Sequence, residues 1–307
     1  MPAGGPDRPW PPPEARVAFR AASPTLCAWA LALAALLWSL NGPLIKSAHL
    51  PGITIAFYRS ALGGLVLLPW AWARRGTLRA AAPARLLGAV GLFTVMTACF
   101  VVATTLTAAS TAILLQYTAP VWVVLLSAVF LRERPVRADF VALALALVGV
   151  GVMCSGQVAS DGRALAIALL SGLAFGALIV ALRGLRQVDP LALTALNTLG
   201  SALLLAPLVA AGPGLRLSGE QFGLLLLLGV VQFTLPYVLF CWAVRGVEAN
   251  RAALIVLLEA VFNPILTWTF VGEPVPATTL LGGPLVLGGA ALRVVARSAP
   301  AAGPGAP

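Results

Sequence analysis

Ten apolar stretches, each about 18 to 24 residues long, follow one another along this chain with only short gaps between them. An α-helix needs roughly 20 apolar residues to cross the hydrocarbon core of a bilayer. Because no other stretch is long enough to form a separate soluble domain, we expect an all-α polytopic membrane protein. The predicted spans, numbered 1 to 10 below, are 26–46, 53–72, 86–105, 109–131, 138–155, 163–183, 190–211, 221–244, 251–271 and 278–296.

Composition excludes the soluble classes of protein. Charged residues make up 10% of the chain, whereas soluble domains carry about 25%. The net charge of +10 does not indicate nucleic-acid binding, because the basic residues lie in the gaps between spans. The proline-rich segment 1–24 and the segment 298–307 are expected to be disordered tails. The four cysteines are scattered singly, so neither a metal nor another cofactor is expected.

The positions of the basic residues predict the orientation of the chain. With the N-terminus in the cytoplasm, 16 arginines fall in cytoplasmic segments and three basic residues fall in outer ones. Cytoplasmic loops of membrane proteins are enriched in arginine and lysine. We therefore expect both termini to be cytoplasmic, in a protein of the inner, cytoplasmic membrane. The outer basic residues are Lys46, Arg163 and Arg216, and Arg59 falls within span 2.

An internal repeat relates the two halves of the chain. A shift of 140 residues aligns spans 3–5 with spans 8–10 without a gap and places Glu133 on Glu273. Other paired identities are Phe93/Phe233, Phe100/Phe240, Phe130/Phe270 and Val121/Val261. Because five spans is an odd number, the second half enters the membrane upside down. Inverted repeats of this kind place a substrate site near the bilayer midplane, between the halves.

Four segments resemble the two repeats of the EamA family, which belongs to the drug/metabolite transporter superfamily. They are WSLNGPLIK (38–46), AFYRSALGGLVLLP (56–69), ASTAILLQYTAPVWVVLLSAVFLRERP (109–135) and ANRAALIVLLEAVFNPILTWTFVGEP (249–274). The resemblance implies two inverted five-helix repeats, 25–155 and 163–297, in a ten-helix bundle with a central cavity. One departure is Ala260, which follows Glu259 where such proteins often carry proline.

The resemblance implies a secondary transporter rather than an enzyme. We expect it to move a small organic metabolite or drug, such as an amino acid-like solute, by alternating access, with export as the expected direction. Its expected partners are that substrate, the lipid bilayer and protons as a candidate coupling ion, and it is a monomer or homodimer. The residues leave an intramembrane enzyme or a channel as alternatives. However, the sequence has no HExxH or GxSxG motif and no gap long enough for a filter loop.

Two charged residues, Arg59 and Glu259, lie more than five residues inside a predicted span, where a charge needs a partner or a water-filled cavity. Glu259 lies eight residues beyond Arg251, about 12 Å into span 9, and Asn263 follows one turn later on the same face. We expect Glu259 to be the main charged group of the central site; the alternative is a structural hydrogen bond to a neighbouring helix. Arg59, beside Tyr58, either reaches the outer interface or binds substrate or a carboxylate.

Polar residues at helical spacing predict the remainder of the path, because such groups must face protein or water within a bilayer. Helix–helix hydrogen bonding is the alternative interpretation of these residues. The candidate substrate-path residues are Trp38, Asn41, Tyr58, Arg59, Gln116, Pro120, Asn197, Gln232, Tyr237, Glu259 and Asn263.

Two further glutamates lie at the ends of equivalent spans. Glu133 and Glu273 each come shortly before a predicted span, which begins near Ala138 or Thr278. A carboxylate in this position stabilises the positive end of the following helix by about 0.3–1 kcal/mol. We therefore expect both residues to be structural and to cap the helix that follows.

Overall fold

The computed structural model describes residues 23–130, 132, 137–155, 158–212, 215–243, 247, 252 and 255–296, and all regular secondary structure in these ranges is helical. The predicted tails lie outside them, except for Ser23 and Pro24. These two residues begin the first helix, where the Ser23 hydroxyl accepts a hydrogen bond from the Leu26 amide. Glu133 also lies outside the described residues.

The α-helices of the described part of the chain are α1 (Pro24–Ser39), α2 (Asn41–Ser47), α3 (Gly52–Ala73), α4 (Arg75–Arg79), α5 (Pro83–Leu106), α6 (Ala109–Gln116), α7 (Ala119–Phe130), α8 (Arg137–Ser155), α9 (Val158–Leu182), α10 (Pro190–Ala211), α11 (Gly219–Leu226), α12 (Leu235–Ala243), α13 (Leu258–Val271) and α14 (Ala277–Ala296). A 3₁₀ turn, Arg183–Leu185, follows α9. A π-helical segment, Leu227–Thr234, joins α11 to α12.

Seven helical segments of the described residues are long and apolar enough to cross a membrane. Three shorter apolar helices, Phe140–Ser155, Leu258–Val271 and Ala277–Leu292, coincide with predicted spans 5, 9 and 10. Large apolar side chains are exposed on the long helices. Leu203 of α10 is 75% exposed, and Phe130 of α7 is 72% exposed. Apolar surface on this scale suits contact with lipid tails. The predicted all-α membrane fold is confirmed.

The helix contacts follow a pattern that relates the two halves of the chain. α5 packs against α9, and the equivalent helices of the other half, α12 and α1, are also in contact. α7 packs against α9, and α13 packs equivalently against α1. The pairs α3–α10 and α8–α14 each join equivalent helices of the two halves. The halves are therefore packed extensively against each other, as expected for an inverted repeat.

Glycines allow some of these helices to approach closely. A Cβ at Gly149 of α8 would lie 2.6 Å from the carbonyl oxygen of Gly282 on α14. A Cβ at Gly64 of α3 would lie 2.7 Å from the side chain of Leu199 on α10. Only residues without a side chain permit backbones to pack at these distances, and such contacts commonly hold membrane helices together.

Predicted spans 1 and 4 are each interrupted by a helix break. Span 1 breaks at Leu40, between α1 and α2, and span 4 breaks between α6 and α7. A proline lies shortly after each break, Pro43 in α2 and Pro120 in α7. Proline has no N–H and clashes with the carbonyl four residues earlier, which here belongs to Ser39 or Gln116. The two prolines therefore account for the helix ends inside spans 1 and 4. The sequence had predicted each of these spans to be one continuous helix.

Candidate functional site

Glu259 lies in the first turn of α13, where side chains from both interrupted spans donate to its carboxylate. The first residue of α2, Asn41, donates from Nδ2 to Oε1 at 3.2 Å. The hydroxyl of Tyr117, in the break between α6 and α7, donates to Oε2 at 3.0 Å. The positive end of the α13 dipole also favours a negative charge in this turn. The carboxylate therefore lies where three helix ends meet.

Asn263 extends this arrangement one turn along α13. Its Nδ2 donates to Asn41 Oδ1 at 2.7 Å and to the carbonyl oxygen of Ser39 at 3.2 Å. That carbonyl is the one which Pro43 leaves without its helical N–H, so the Asn263 amide supplies the donor instead. The Ser39 hydroxyl also contacts the backbone carbonyl of Glu259 at 3.3 Å. The polar cluster, as defined here, consists of Ser39, Asn41, Tyr117, Glu259 and Asn263.

Sequence reasoning missed two members of the polar cluster. Tyr117 carried a usable signal, because it is one of only three tyrosines and precedes Pro120 by three residues, where proline disturbs a helix. Ser39 carried no comparable signal. Its hydroxyl and carbonyl reach the site only because α1 packs against α13, a contact between residues more than 200 positions apart.

Three aromatic side chains form a continuous surface that begins next to the polar cluster. The ring centroids of Trp38 and Tyr237 lie 5.2 Å apart, and those of Tyr237 and Phe233 lie 5.0 Å apart. Gln232 donates from Nε2 to the Trp38 carbonyl at 3.1 Å and so holds the π-helical segment against α1. The aromatic wall, as defined here, consists of Trp38, Phe233 and Tyr237.

Arg59 lies in the first half of α3 and is buried, with 5% of the residue exposed. It donates from Nη2 to the Thr97 hydroxyl of α5, and its guanidinium carbon lies 4.9 Å from the centroid of the Phe233 ring. Arg59 therefore does not extend to the outer interface, which was one of the two interpretations of its sequence position. No ion pair joins it to Glu259 among the described residues.

Four further predicted path residues belong neither to the polar cluster nor to the aromatic wall. The Tyr58 hydroxyl donates instead to the carbonyl of Leu215 at 2.8 Å. Pro120 lines a narrow apolar cleft between α7, α8 and α14. Gln116 ends α6, and Asn197 is buried in α10 with its side-chain oxygen unbonded. The place of these four residues in a substrate path stays a prediction.

The site has the chemistry of solute recognition. It offers one carboxylate, one guanidinium, several amide and hydroxyl groups, and an aromatic surface. Gln232 Oε1 is buried and has no hydrogen-bond partner among the described residues. Within the described residues, no group of three or more His, Cys, Asp or Glu is placed to hold a metal ion.

Glu273 joins the two halves of the chain at one end of the bundle. Its Oε1 accepts from the backbone amide of Ala109, the first residue of α6, at 2.7 Å, and its Oε2 pairs with Lys46 Nζ at 2.7 Å. Lys46 also donates to the carbonyl of Thr107 at 2.7 Å. The sequence predicted that Glu273 caps the helix that follows it in the chain. The carboxylate instead caps α6. Gly272 ends α13 with a φ of +71°, the left-handed conformation that glycine adopts readily at the end of a helix.

Comparison with known proteins agrees with this architecture. A profile of the EamA-like transporter family matches residues 25–155 and 162–295. An uncharacterized transporter of Archaeoglobus fulgidus is 29% identical over 85% of this chain and 93% of its own length. The pseudopaline exporter CntI of Pseudomonas aeruginosa is 30% identical over 83% of this chain and 91% of its own.

A solved crystal structure has the same fold, with a TM-score of 0.62 and 22% sequence identity over 89% of this chain and 97% of that one. The family match covers both halves of the chain, and the two relatives named above are a transporter and an exporter by name. Members of this family are transporters, which sets aside the intramembrane enzyme considered from the sequence. This multi-pass membrane protein belongs to the EamA-like transporter family.

Proposed function

We propose that this protein exports a small amino acid-like metabolite, or a related drug, across the cytoplasmic membrane by alternating access. Glu259 is the main charged group of its substrate site, and protons are the coupling ion. The proposal depends above all on the position of Glu259, where the ends of three helices from both repeats converge. A carboxylate between two moving halves is accessible from one side of the membrane at a time.

The contacts of Glu259 support a role beyond packing. Both carboxylate oxygens accept from neutral donors, Asn41 and Tyr117, and no basic group in the described part of the chain forms an ion pair with this carboxylate. Such a carboxylate attracts a cationic amine or a proton. Export as the direction is supported by the relative that is named an exporter of pseudopaline.

The test is solute flux in proteoliposomes of purified wild-type protein and the Glu259→Gln variant. Glutamine keeps the size of the side chain and accepts hydrogen bonds but cannot exchange a proton, so we expect the fold to persist while net flux falls at least tenfold. The remaining flux should lose its dependence on pH. The matched control is Glu220→Gln, because Glu220 lies exposed in the first turn of α11.

The two variants must be compared at several pH values. Glu220→Gln should transport like the wild type throughout. Wild-type flux and wild-type pH dependence in Glu259→Gln would show that Glu259 only stabilises the bundle, and the proposed mechanism would then be wrong.

We also propose that both termini are cytoplasmic, on the basis of the arginine distribution. The four native cysteines are free, so each can be replaced without breaking a disulfide among the described residues. On that background, Arg79→Cys probes a cytoplasmic loop and Arg216→Cys probes an outer one. A membrane-impermeant thiol reagent applied to intact cells should label only the Arg216→Cys variant. Labelling of Arg79→Cys alone would reverse the proposed orientation.

A further inference from the structure

Arg59 has binding capacity that the protein itself does not use. It is 5% exposed, yet no carboxylate forms an ion pair with it among the described residues. One guanidinium nitrogen donates to the Thr97 hydroxyl, while Nε has no hydrogen-bond partner. Buried charges in proteins are generally paired or fully hydrogen bonded. A buried arginine with an unused N–H is therefore suited to receive an anionic group from outside the chain.

Two neighbours fix the orientation of this guanidinium. Thr97 on α5 accepts one N–H, and the Phe233 ring packs beneath the group with its centroid 4.9 Å from the central carbon. The ring contacts the face of the guanidinium and not its edge, where Nε is buried without a hydrogen-bond partner among the described residues. That edge matches the two oxygens of a planar carboxylate, which arginine binds with two parallel hydrogen bonds.

Arg59 and Glu259 are both associated with the aromatic wall. Arg59 contacts Phe233, whereas Trp38 at the other end directly precedes Ser39 of the polar cluster. The two charged groups are not paired with each other. A solute with one charge leaves one of them uncompensated in a low-dielectric interior, but a solute with one positive and one negative group compensates both.

We infer that Arg59 binds the carboxylate of the transported solute, whose amine binds at Glu259 and whose apolar part lies along the aromatic wall. The substrate class is therefore a zwitterion, and Arg59 is the residue that selects its acidic group. This inference depends on the proposed function and adds the substrate class to it. A single guanidinium matches the single negative charge of a carboxylate, whereas a phosphate group brings nearly two negative charges at neutral pH.

The experiment measures binding by ligand-induced thermal stabilisation of the purified protein. The probes are the proteinogenic amino acids, each compared with its carboxamide, which lacks the negative charge, and its N-acetyl derivative, which lacks the positive charge. The variants are Arg59→Gln and Arg59→Lys. The matched control is Arg75→Gln, because Arg75 also packs on an aromatic ring, that of Trp72 at 4.7 Å, but lies exposed.

For each amino acid that binds, we expect the wild type to prefer it over its carboxamide at least tenfold. Arg59→Gln should abolish that preference while keeping the preference over the N-acetyl derivative. Arg59→Lys should retain a reduced preference, since lysine keeps the charge but loses the paired donors. Arg75→Gln should behave as the wild type. Each preference is a ratio within one preparation, so a general loss of folded protein does not change it.

Three results would overturn the inference. Arg59→Gln could weaken the amino acid and its carboxamide equally, which would make Arg59 a structural residue. The wild type could bind carboxamides as tightly as amino acids, which would exclude a carboxylate site while the proposed transport function stands. If the wild type binds no amino acid and also moves none in proteoliposomes, both this inference and the proposed function are wrong.

Discussion

At the scale of single residues, the hydrogen bonds of Glu259 come from side chains more than 140 positions away along the chain. Its depth within span 9 could be counted from the sequence, but its partners could not. Asn41 was among the predicted path residues, whereas Tyr117 was not. The sequence pattern identified Glu259 because charged residues are rare in this chain. It missed Tyr117 because the hydroxyl of this residue reaches Glu259 from a helix break that the sequence did not predict.

Replacing Tyr117 with phenylalanine tests whether this donor supports the site. Tyr117→Phe removes the hydroxyl that donates to Glu259 Oε2, and loss of a hydrogen bond to a charged group costs about 1.5–3 kcal/mol. We expect the free energy of unfolding, measured in detergent micelles, to fall by that amount, and substrate affinity to change as well. Tyr58→Phe is the control, since its hydroxyl contacts the Leu215 carbonyl away from the cluster. Equal effects of the two substitutions would contradict the assignment.

At the scale of helices, a proline and a glycine together shape the break in span 1. Pro43 leaves the Ser39 carbonyl without its helical N–H, and Gly42 beside it lets α2 lie directly against α13. A Cβ at Gly42 would lie 2.9 Å from Asn263 Nδ2 and would also meet the Thr267 hydroxyl. The sequence predicted a continuous helix through Pro43. Only the tertiary structure shows the packing that gives Gly42 its role.

Gly42→Ala should therefore disturb the polar cluster although the substitution adds only one methyl group. Overpacking of a close contact costs about 1–3 kcal/mol, and here the displaced group is the Asn263 amide that holds Asn41. We expect lower thermal stability and weaker substrate binding. Gly88→Ala on α5 is the control, because a Cβ there meets nothing within 4 Å. It should leave stability unchanged or raise it by about 0.5–1 kcal/mol. A fully stable and active Gly42→Ala protein would show that the contact yields without cost.

At the scale of the whole molecule, Lys46 and Glu273 connect the first repeat to the second. Their ion pair of 2.7 Å is strengthened by bonds from Glu273 to the Ala109 amide and from Lys46 to the Thr107 carbonyl. Both side chains are only about one-fifth exposed, at 18% and 20%. A contact of this kind restrains the relative movement of the halves, which agrees with the structural role predicted for Glu273.

A double-mutant cycle with Lys46→Gln and Glu273→Gln measures this connection. Because the two groups touch and share neighbours, we expect a coupling of about 0.5–3 kcal/mol in the free energy of unfolding. The pair Arg74–Asp189 is the comparison: it spans 3.8 Å, Arg74 is 59% exposed, and such pairs contribute about 0–1 kcal/mol. Glu273→Gln should lower stability more than substrate affinity. Normal stability with abolished binding would instead place Glu273 in the substrate site.

The sequence alone determined the class of fold and the family. Long apolar runs predict membrane helices, because backbone groups without hydrogen bonds are too costly in lipid. The internal repeat and the sequence motifs identified the family. Pro120 and Glu259 stood out because proline and charge act on their own helix, whatever packs beside it. These effects are local or compositional, and a linear pattern records them.

Only the tertiary structure decided which of these residues meet. Tyr117, Ser39 and Asn263 reach Glu259 or its neighbours because α1, α6 and α13 come together from distant parts of the chain. Glu273 caps α6 instead of the next helix for the same reason. Arg59 is buried against Thr97 and Phe233, although its position near a span end equally allowed exposure. Helix packing depends on the shape of both partners at once, and each partner's sequence describes only one side of the contact.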